Sequence, residues 1–311
     1  MGEKLLLIFN MHSGKTTIKN HAAGIIDIFN RCGFEVTAWS TQARGHATEL
    51  VKEKGAEYPL IICCGGDGTL SEVIDGLMCF PEKKRPKLGY IPAGSTNDFA
   101  STLQLPTKIS QSAELVMRQT FARIDIGSFL DDYFVYVAAF GAFTAVSYNT
   151  PQQNKNILGH QAYIIEGIRQ VSNIRPYHMK VTVGGEVIEG DFVYGMVYNA
   201  DSVGGFKNLS GKQVELDDGE LDVMLIQAPD NAVEWPALLT DLLTKNNSSK
   251  FIHSYRTSSI TFEADEETDW VLDGEYGGAH KKVEISTAHQ AIEMAVDLET
   301  LRKQGIVRSA V

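Results

Sequence analysis

Hydrophobic and polar positions alternate in blocks along the first part of the chain. Short apolar runs at residues 5–9, 34–40, 59–64 and 88–93 are separated by segments with helical spacing, such as 23–29 and 47–54. From residue 4 to about residue 121 this alternation predicts a parallel sheet with helices on both faces. We therefore expect an α/β domain in this part of the chain.

From residue 124 the pattern changes to β-rich runs with few helices. The runs are residues 133–140, 178–190, 191–200, 220–227, 251–264, 269–278 and 281–288. Gly184 and Gly185 indicate a hairpin turn, and helical spacing returns only at 159–174 and 231–246. The simplest architecture for this second part is an antiparallel β-sandwich.

The segment CCGGDGTLSEVIDGL, residues 63–77, places three glycines around one carboxylate between a strand and a helix. Glycines let backbone N–H groups approach an anion, and a helix beginning near Thr69 adds its positive dipole end. Asp67 beside a phosphate implies a cation between them, and Mg²⁺ is the usual bridge. The segment predicts a phosphate cradle, although a tight turn in an α/β sheet has similar sequence features.

The same order of strand, turn and helix recurs in LGYIPAGSTNDFASTL, residues 88–103. Parallel strands place their carboxyl ends at one edge of a sheet, so the two turns can lie side by side in a ligand crevice. Ser95 and Thr96 suit phosphate oxygens, while either Asn97 or Asp98 can cap the helix and leave the other to face a metal. A pure helix cap is the alternative.

GGDGT followed by GSTNDFA resembles the diacylglycerol kinase catalytic family, which includes sphingosine, ceramide and bacterial lipid kinases. LLLIFNMHSGK at 5–15 is similar to the family's first strand and Asn-Pro-x-Ser-Gly turn, with Met11 in place of the usual proline. ARIDIG at 122–127 resembles the crossing between the family's two domains, and LDGE at 272–275 resembles its general-base segment. The resemblance runs nearly end to end and is nearest to the soluble bacterial lipid kinases.

This resemblance implies a fold of two domains. The first is a Rossmann-like doubly wound α/β nucleotide-binding domain at 1–124, to which a C-terminal segment at 290–311 returns. The second is an antiparallel β-sandwich domain at 125–289 that receives the lipid substrate.

The resemblance also implies ATP and Mg²⁺ as cofactors. The residues that would border the nucleotide lie on the turns: Asn10, Ser13, Gly14, Thr41, Gly65, Gly66, Gly68, Thr69, Glu72, Ser95, Thr96 and Asn97. Asp67, Asp98 and Asp125 would arrange the metal.

An attacking alcohol must lose its proton, which requires a carboxylate within hydrogen-bond reach. By resemblance that base is Glu275, and Asp67 is the rival. A turn-forming acid in Asp-Gly-Glu is the alternative for Glu275.

The acidic segment VELDDGELDV, residues 214–223, is similar to a family loop that holds a structural Mg²⁺. The implied ligands are Glu215, Asp218 and Glu220, whose hard oxygens suit Mg²⁺. A type I turn between two strands explains the same segment.

Composition and charge restrict the possible partners and location. A net charge of −11 disfavours nucleic acid and general attraction to anionic lipid, which leaves local, transient peripheral membrane contact. The basic loop at 82–87 is a candidate for it, or else a solvated connector. No apolar run approaches the ~20 residues that cross a bilayer. With four cysteines in no metal pattern, we expect a cytoplasmic protein, and an edge strand of the sandwich could pair two chains as a homodimer.

The sequence is thus interpreted as an ATP-dependent kinase that phosphorylates a primary hydroxyl of a lipid, most simply diacylglycerol. An NAD kinase, which shares GGDGT, and a non-catalytic nucleotide or lipid sensor on the same fold are the alternatives.

Overall fold

The computed structural model describes residues 2–14, 18–141, 175–203, 206–207, 213–231, 233–244, 246 and 248–308. The helices are α1 (Ala22–Arg31), α2 (His46–Lys54), α3 (Asp67–Met78), α4 (Asp98–Thr102), α5 (Ile109–Met117), α6 (Trp235–Thr244) and α7 (Leu298–Lys303), with short 3-10 turns at Ile18–Asn20, Gly55–Glu57 and Glu82–Lys84. The strands of the first part are β1 (Glu3–Phe9), β2 (Phe34–Ser40), β3 (Leu60–Gly65) and β4 (Lys87–Pro92). The later strands are β5 (Phe121–Phe129), β6 (Asp132–Phe134), β7 (Val137–Gly141), β8 (Tyr177–Val183), β9 (Glu186–Tyr198), β10 (Ser202–Val203), β11 (Phe206–Lys207), β12 (Leu221–Gln227), β13 (Ile252–Thr257), β14 (Ser259–Leu272) and β15 (Glu275–Ala295).

Four parallel strands form the sheet of the first part, in the order β4-β3-β1-β2. Every residue of β3 is buried, as expected for a central strand covered by helices on both faces. On α1, Ile25 and Phe29 are the buried positions, because residues four apart share one face of a helix. The alternation in the sequence therefore has its expected cause, which is a sheet with an apolar core on each side.

The strands from β5 onward pair antiparallel in the part of the chain that the structure describes, except where β15 meets β4. Trp270 lies in their core, with ring centroids 5.0 Å from Phe140 and 5.2 Å from Phe129. The predicted fold class, an α/β domain followed by an antiparallel β-sandwich, is confirmed.

Two hairpin turns follow directly from glycine-containing pairs. Gly184 and Gly185 both have positive φ and join β8 to β9, which confirms the predicted turn. Asp273 and Gly274 have φ of 50° and 87° and join β14 to β15, so Leu272 pairs with Glu275. Positive φ at both central residues defines a type I′ turn, which matches the right-handed twist of the strands.

The apolar run at 133–140, predicted as one strand, is in fact two. β6 ends at Phe134 and β7 begins at Val137, with Val135 and Tyr136 between them. The amides of residues 135–137 donate to the buried carboxylate of Asp273 instead of to a neighbouring strand. A distant side chain therefore breaks a segment that is continuous in hydrophobicity.

The end of the chain packs on the parallel sheet. Met294 of β15 pairs with Leu88 of β4 in parallel, and the amide of Val296 donates to the carbonyl of Thr120. Asp297 then caps α7 by accepting from the amide of Thr300 at 3.1 Å. The exact boundaries 1–124, 125–289 and 290–311 stay predictions.

The helical pattern at 159–174 lies outside the described residues, while the pattern at 231–246 contains α6. Among the described helices, none combines the length and the hydropathy needed to cross a bilayer.

Candidate active site

A cleft of about 780 Å³ opens at the carboxyl ends of the parallel strands. Its walls are the turns after β1, β2, β3 and β4 on one side, and β6 with the β14–β15 hairpin on the other. The predicted site residues that line it are Asn10, Ser13, Gly14, Thr41, Gly66, Asp67, Gly68, Thr69, Glu72, Ser95, Thr96 and Glu275. The other predicted residues lie outside this lining: Gly65, Asn97, Asp98, Asp125, Glu215, Asp218 and Glu220.

Side chains of the first turn hold the glycine turn after β3. The Nδ2 of Asn10 donates to the hydroxyl of Thr69 at 3.2 Å, and the amide of Gly66 donates to the hydroxyl of Ser13 at 3.3 Å. Thr41 joins the same edge, because its amide donates to the carbonyl of Phe9 at 2.9 Å. The chain's own hydrogen bonds thus hold these turns together.

Two glycines are required where these turns touch. A Cβ on Gly94 would lie 2.6 Å from the Cα of Gly66, so the two backbones could not approach as they do. Gly14 has φ of +66°, and a Cβ there would lie 2.2 Å from the carbonyl oxygen of Ala93. The turns after β1, β3 and β4 therefore form one packed backbone surface, open to the cleft at Gly68.

Asp67, the first residue of α3, links the turn after β3 to the turn after β4. Its carboxylate accepts from the amides of Asp98 and Phe99 at 3.2 and 3.4 Å, so it caps α4 from another helix. Burial, with Asp98 nearby, raises the pKa of Asp67 to about 7, although the two amides oppose the shift. Near neutral pH the carboxyl group is therefore divided between its protonated and ionised forms, and a bound cation would favour the ionised form.

Asn97 and Asp98 serve structure within this turn. Asn97, with φ of 53°, closes the turn through a pair of hydrogen bonds to the amide and carbonyl of Gly94. Asp98 is 3% exposed and accepts the hydroxyl of Ser202 at 2.5 Å. Neither side chain caps α4, because Asp67 does so.

Glu72 is held by the helix beside it. Its two carboxylate oxygens accept the amides of Gly45 and Ala47 at 2.8 and 3.1 Å, at the start of α2. An anion at a helix N-terminus satisfies unpaired amides and the helix dipole. Glu72 therefore positions the loop that follows β2.

Glu275 faces these turns from the opposite wall. It is the first residue of β15, half exposed, with Oε2 3.0 Å from the Nη2 of Arg44. The carboxylate is thus accessible from the cleft, as a proton acceptor must be.

Asp273 is a residue that the sequence analysis missed, although it lies in the LDGE segment. It is 5% exposed and accepts the amides of Val135, Tyr136 and Val137 at 2.7–3.1 Å, and also the hydroxyl of Ser71 on α3. Burial raises its pKa, while these hydrogen bonds lower it. Asp273 therefore fixes the turn that carries Glu275.

Further cleft residues could have been found from helical spacing. Asp67, Ser71 and Asp75 are four residues apart on α3, so they share one face, and all three line the cleft. Burial, followed by Asp273 and Asp132, raises the pKa of Asp75 to about 7. Arg44 could have been found from the rule that ligands bind beyond the carboxyl ends of parallel strands.

Asp125 lies apart from the cleft. Its carboxylate is buried and accepts the amides of Gly219 at 2.7 Å and Gln290 at 2.6 Å, with the Nδ1 of His289 at 2.9 Å. Burial raises its pKa and the two amides lower it. These contacts attach the acidic loop to β5 and β15, and a role beside the nucleotide metal stays a prediction.

The acidic loop at 214–223 binds arginine in the structure. Glu215 pairs with Arg256 at 3.2 Å and with Arg308, and Asp218 lies 3.5 Å from Arg256. The Oδ1 of Asp218 accepts the amide of Glu220 at 3.0 Å. Arg256 therefore contacts two of the three predicted ligands, and the metal role of Glu215, Asp218 and Glu220 stays a prediction.

The described residues contain no group of three or more His, Cys, Asp or Glu side chains arranged to hold a metal ion. A nucleotide metal needs less, because Mg²⁺ keeps several waters and takes one or two carboxylates together with substrate phosphates. Asp67 fits that requirement, because it lies beside the turns and its pKa of about 7 lets it ionise near neutral pH.

Comparisons with known proteins agree with this geometry. Residues 4–129 match the family model described as the diacylglycerol kinase catalytic domain, and 137–296 match the YegS C-terminal NAD kinase beta sandwich-like domain. The diacylglycerol kinases of Bacillus subtilis and Staphylococcus saprophyticus are 34% and 32% identical to the chain. They align over 88% and 89% of this chain and 89% and 90% of their own lengths.

Solved structures agree as well. A diacylglycerol kinase from Bacillus anthracis superposes with a TM-score of 0.75 at 25% identity, covering 96% of this chain and 98% of that one. A second Bacillus anthracis chain gives a TM-score of 0.81 at 28% identity with the same coverage.

The fold and the glycine turns define a lipid kinase with two domains. The chain belongs to the diacylglycerol kinase catalytic family, so the resemblance seen in the sequence is confirmed.

Proposed function

We propose that this enzyme transfers the γ-phosphate of ATP to a primary hydroxyl of a lipid, most simply diacylglycerol, giving phosphatidic acid. The observation that carries the proposal is the cleft itself. Three glycine turns, after β1, β3 and β4, face the accessible carboxylate of Glu275 across one opening. A phosphate donor bound at these turns would face a proton acceptor on the opposite wall, as phosphoryl transfer to an alcohol requires.

Each wall has a separate task in the proposed reaction. The turns at Ser13–Gly14, Gly66–Thr69 and Ser95–Thr96 bind the phosphates, with Asn10, Thr41 and Glu72 holding the surrounding loops. The lipid oxygen forms a bond to the γ-phosphorus while the bond from that phosphorus to the β,γ-bridging oxygen breaks, so ADP leaves. The hydroxyl proton passes to Glu275, and Asp67 is the second candidate acceptor.

Asp67 is the residue of the cleft that would hold Mg²⁺. The ion, when bound, neutralises charge on the phosphates during transfer. Asp98 would act behind Asp67, because its amide donates to that carboxylate. In this proposal the chain's own contribution is to keep Asp67 fixed beside the two turns.

A second candidate function is supported by one comparison. The model that matches residues 137–296 is described as NAD kinase beta sandwich-like, so NAD is a reasonable alternative acceptor. The LDGE and GSTNDFA segments favour the lipid, as the family match over residues 4–129 also does.

We further propose a cytoplasmic enzyme in transient, peripheral contact with the membrane that supplies its lipid. Local contact is favoured because the net charge of −11 opposes general attraction to anionic surfaces. Division at 1–124 and 125–289, with 290–311 returning, and pairing of two chains through an edge strand belong to the same proposal. β13, which lies at one end of the strand order in the second part of the chain, is an edge strand that could make this pairing.

The test is ATP consumption by the purified chain with Mg²⁺, offered diacylglycerol, other lipid alcohols in mixed micelles, or NAD. Phosphorylation of a lipid alone would support the proposal and name the acceptor. Phosphorylated NAD would move the chain to the second candidate, and no product from any acceptor would favour a sensor.

The base assignment has its own test. Glu275→Gln removes the proton acceptor and keeps the shape, so we expect turnover with the preferred lipid to fall at least about 100-fold. Glu267→Gln, at an exposed position of β14, is the matched control. Full activity in Glu275→Gln would assign the base elsewhere, first to Asp67.

A further inference from the structure

Arg44 occupies a distinctive position in the cleft. It follows β2, its side chain is 69% exposed, and its Nη2 lies 3.0 Å from the Oε2 of Glu275 on the opposite wall. Among the described residues that line the cleft, it is the only lysine or arginine. The proposed base is therefore paired with this cation in the structure.

Otherwise the charged groups of this lining are acidic, apart from His12. The carboxylates of the described lining belong to Asp67, Glu72, Asp75, Asp132 and Glu275. A nucleotide triphosphate brings several more negative charges into the same volume. Within the described lining, Arg44 carries the permanent positive charge that can contact the nucleotide phosphates directly.

The ion pair between Arg44 and Glu275 is weak enough for another anion to replace Glu275. Both side chains are more than half exposed, and exposed ion pairs of this kind are weak because water screens them. A guanidinium binds a phosphate through two parallel hydrogen bonds to a more highly charged group. A phosphate at this place would therefore compete successfully for Arg44.

The loop around Arg44 is fixed, so only its side chain has to move. The amide of Thr41 donates to Phe9, and the amide of Gly45 donates to the carboxylate of Glu72 at 2.8 Å. The backbone on either side of Arg44 is thus anchored to β1 and α3. Rotation about side-chain bonds is sufficient to redirect the guanidinium.

We propose that Arg44 is a positioning residue that exchanges partners when the nucleotide binds. It pairs with Glu275 before nucleotide binds, moves to the terminal phosphate of ATP, and so frees Glu275 to accept the proton of the lipid hydroxyl. The inference rests on the proposed function, since it assigns the order in which that site becomes competent. ADP, which lacks the terminal phosphate, does not cause the exchange.

The test compares binding of ATP and ADP, each with Mg²⁺, by calorimetry without lipid. The proteins are the unaltered chain, Arg44→Gln, Glu275→Gln and the double variant. Arg44→Gln should weaken ATP about tenfold and change ADP less than about twofold. Glu275→Gln should tighten ATP about two- to fivefold, because it removes the competitor for Arg44.

The double variant decides between exchange and simple repulsion. If Arg44 exchanges partners, Glu275→Gln has no effect on ATP affinity once Arg44 is glutamine. Tightening that persists in the double variant would show charge repulsion alone and would overturn the proposal. Equal effects of Arg44→Gln on ATP and ADP would overturn it as well.

Two further variants complete the design. Arg44→Lys should restore much of the ATP affinity, because it keeps the charge, while Arg31→Gln on exposed α1 should leave it unchanged. An unaltered chain that binds ATP but phosphorylates no lipid would refute the proposed function. The ATP and ADP cycle would still decide the role of Arg44.

Discussion

Asp67 shows how one residue combines structure and chemistry. Its carboxylate holds the amides of Asp98 and Phe99, while burial raises its pKa to about 7. A group used only as a helix cap would stay ionised more easily in solvent. The same carboxylate therefore caps α4 and changes its ionisation near neutral pH.

We expect Asp67→Ala to reduce lipid phosphorylation by about 100-fold or more, the scale on which single electrostatic groups act in active sites. Loss of the α4 cap should cost about 1 kcal/mol of stability as well. Turnover is to be measured at a temperature where circular dichroism shows the variant folded. Asp27→Ala, at an exposed position of α1, is the control, and unimpaired turnover of Asp67→Ala would refute the site assignment.

Ionisation of Asp75 makes the stability of the folded chain depend on pH. Its pKa is about 7 in the folded chain and 3.8 as the ordinary value, so the folded state binds the extra proton between these values. Stability from this group therefore falls as pH rises from about 4 to 7, and the loss is complete above pH 7.

Asp75→Asn removes that titration. We expect it to raise the free energy of unfolding by about 1 kcal/mol at pH 8, after allowing for solvent at the cleft, and to change little at pH 4. Urea unfolding at the two pH values measures the difference, with exposed Asp230→Asn as control. A stability gain that is equal at both pH values would contradict the assigned shift.

At the scale of elements, the start of α2 depends on a side chain from α3. Glu72 accepts the amides of Gly45 and Ala47, and the hydroxyl of Thr48 donates back to the carbonyl of Glu72 at 2.8 Å. The two helices are therefore coupled through polar contacts as well as through their buried faces. This coupling holds the loop that carries Arg44.

Glu72→Ala should lower the free energy of unfolding by about 1 kcal/mol, the usual cost of a lost N-terminal cap. Thermal unfolding measures the effect, and Glu53→Ala on the exposed face of α2 should change the midpoint much less. If Glu72→Ala instead leaves the midpoint unchanged while ATP affinity falls, the residue contacts nucleotide rather than the helix.

The basic loop at 82–87 is less basic towards solvent than its sequence indicates. Arg85 donates to the carbonyls of Leu77, Phe80 and Ala291, so it ties α3 to β15. Lys83 and Lys84 remain exposed. Lys87 is exposed too but pairs with Glu293 at 3.7 Å, so any contact of this loop with lipid headgroups would depend mainly on Lys83 and Lys84.

At the scale of the whole molecule, the C-terminal residues connect both parts of the chain. Ile306 is fully buried in a core to which both parts of the chain contribute, and its carbonyl accepts the amide of Leu216 at 2.8 Å. The amide of Arg308 then donates to the carboxylate of Asp217. The acidic loop is therefore attached to the chain end.

Ile306→Ala should lower the free energy of unfolding by about 2–4 kcal/mol, because it leaves a cavity in this core. Ile306→Val removes one methyl group and should cost about 1 kcal/mol. Urea unfolding gives both values. Equal stability of the alanine variant and the unaltered chain would show that the end segment is not part of the core.

Local features of the sequence determined much of the fold. Alternation of strand and helix, continuous apolar runs such as β3, and the Gly184–Gly185 turn depend on neighbours in the chain, so they can be predicted from it. The glycine turns and Asp67 were found for the same reason, and the family followed from them. Helix ends shifted by a few residues, as when α3 began at Asp67 rather than near Thr69.

Only the tertiary structure decided which distant groups meet. Asp273 breaks the run at 133–140 from far along the chain, Asp125 joins the acidic loop, and Arg44 reaches Glu275 across the cleft. Each contact joins residues far apart in the chain, which no local pattern specifies. The sequence thus predicts which residue types can carry the chemistry. Which residues they contact depends on how the two parts of the chain pack against each other.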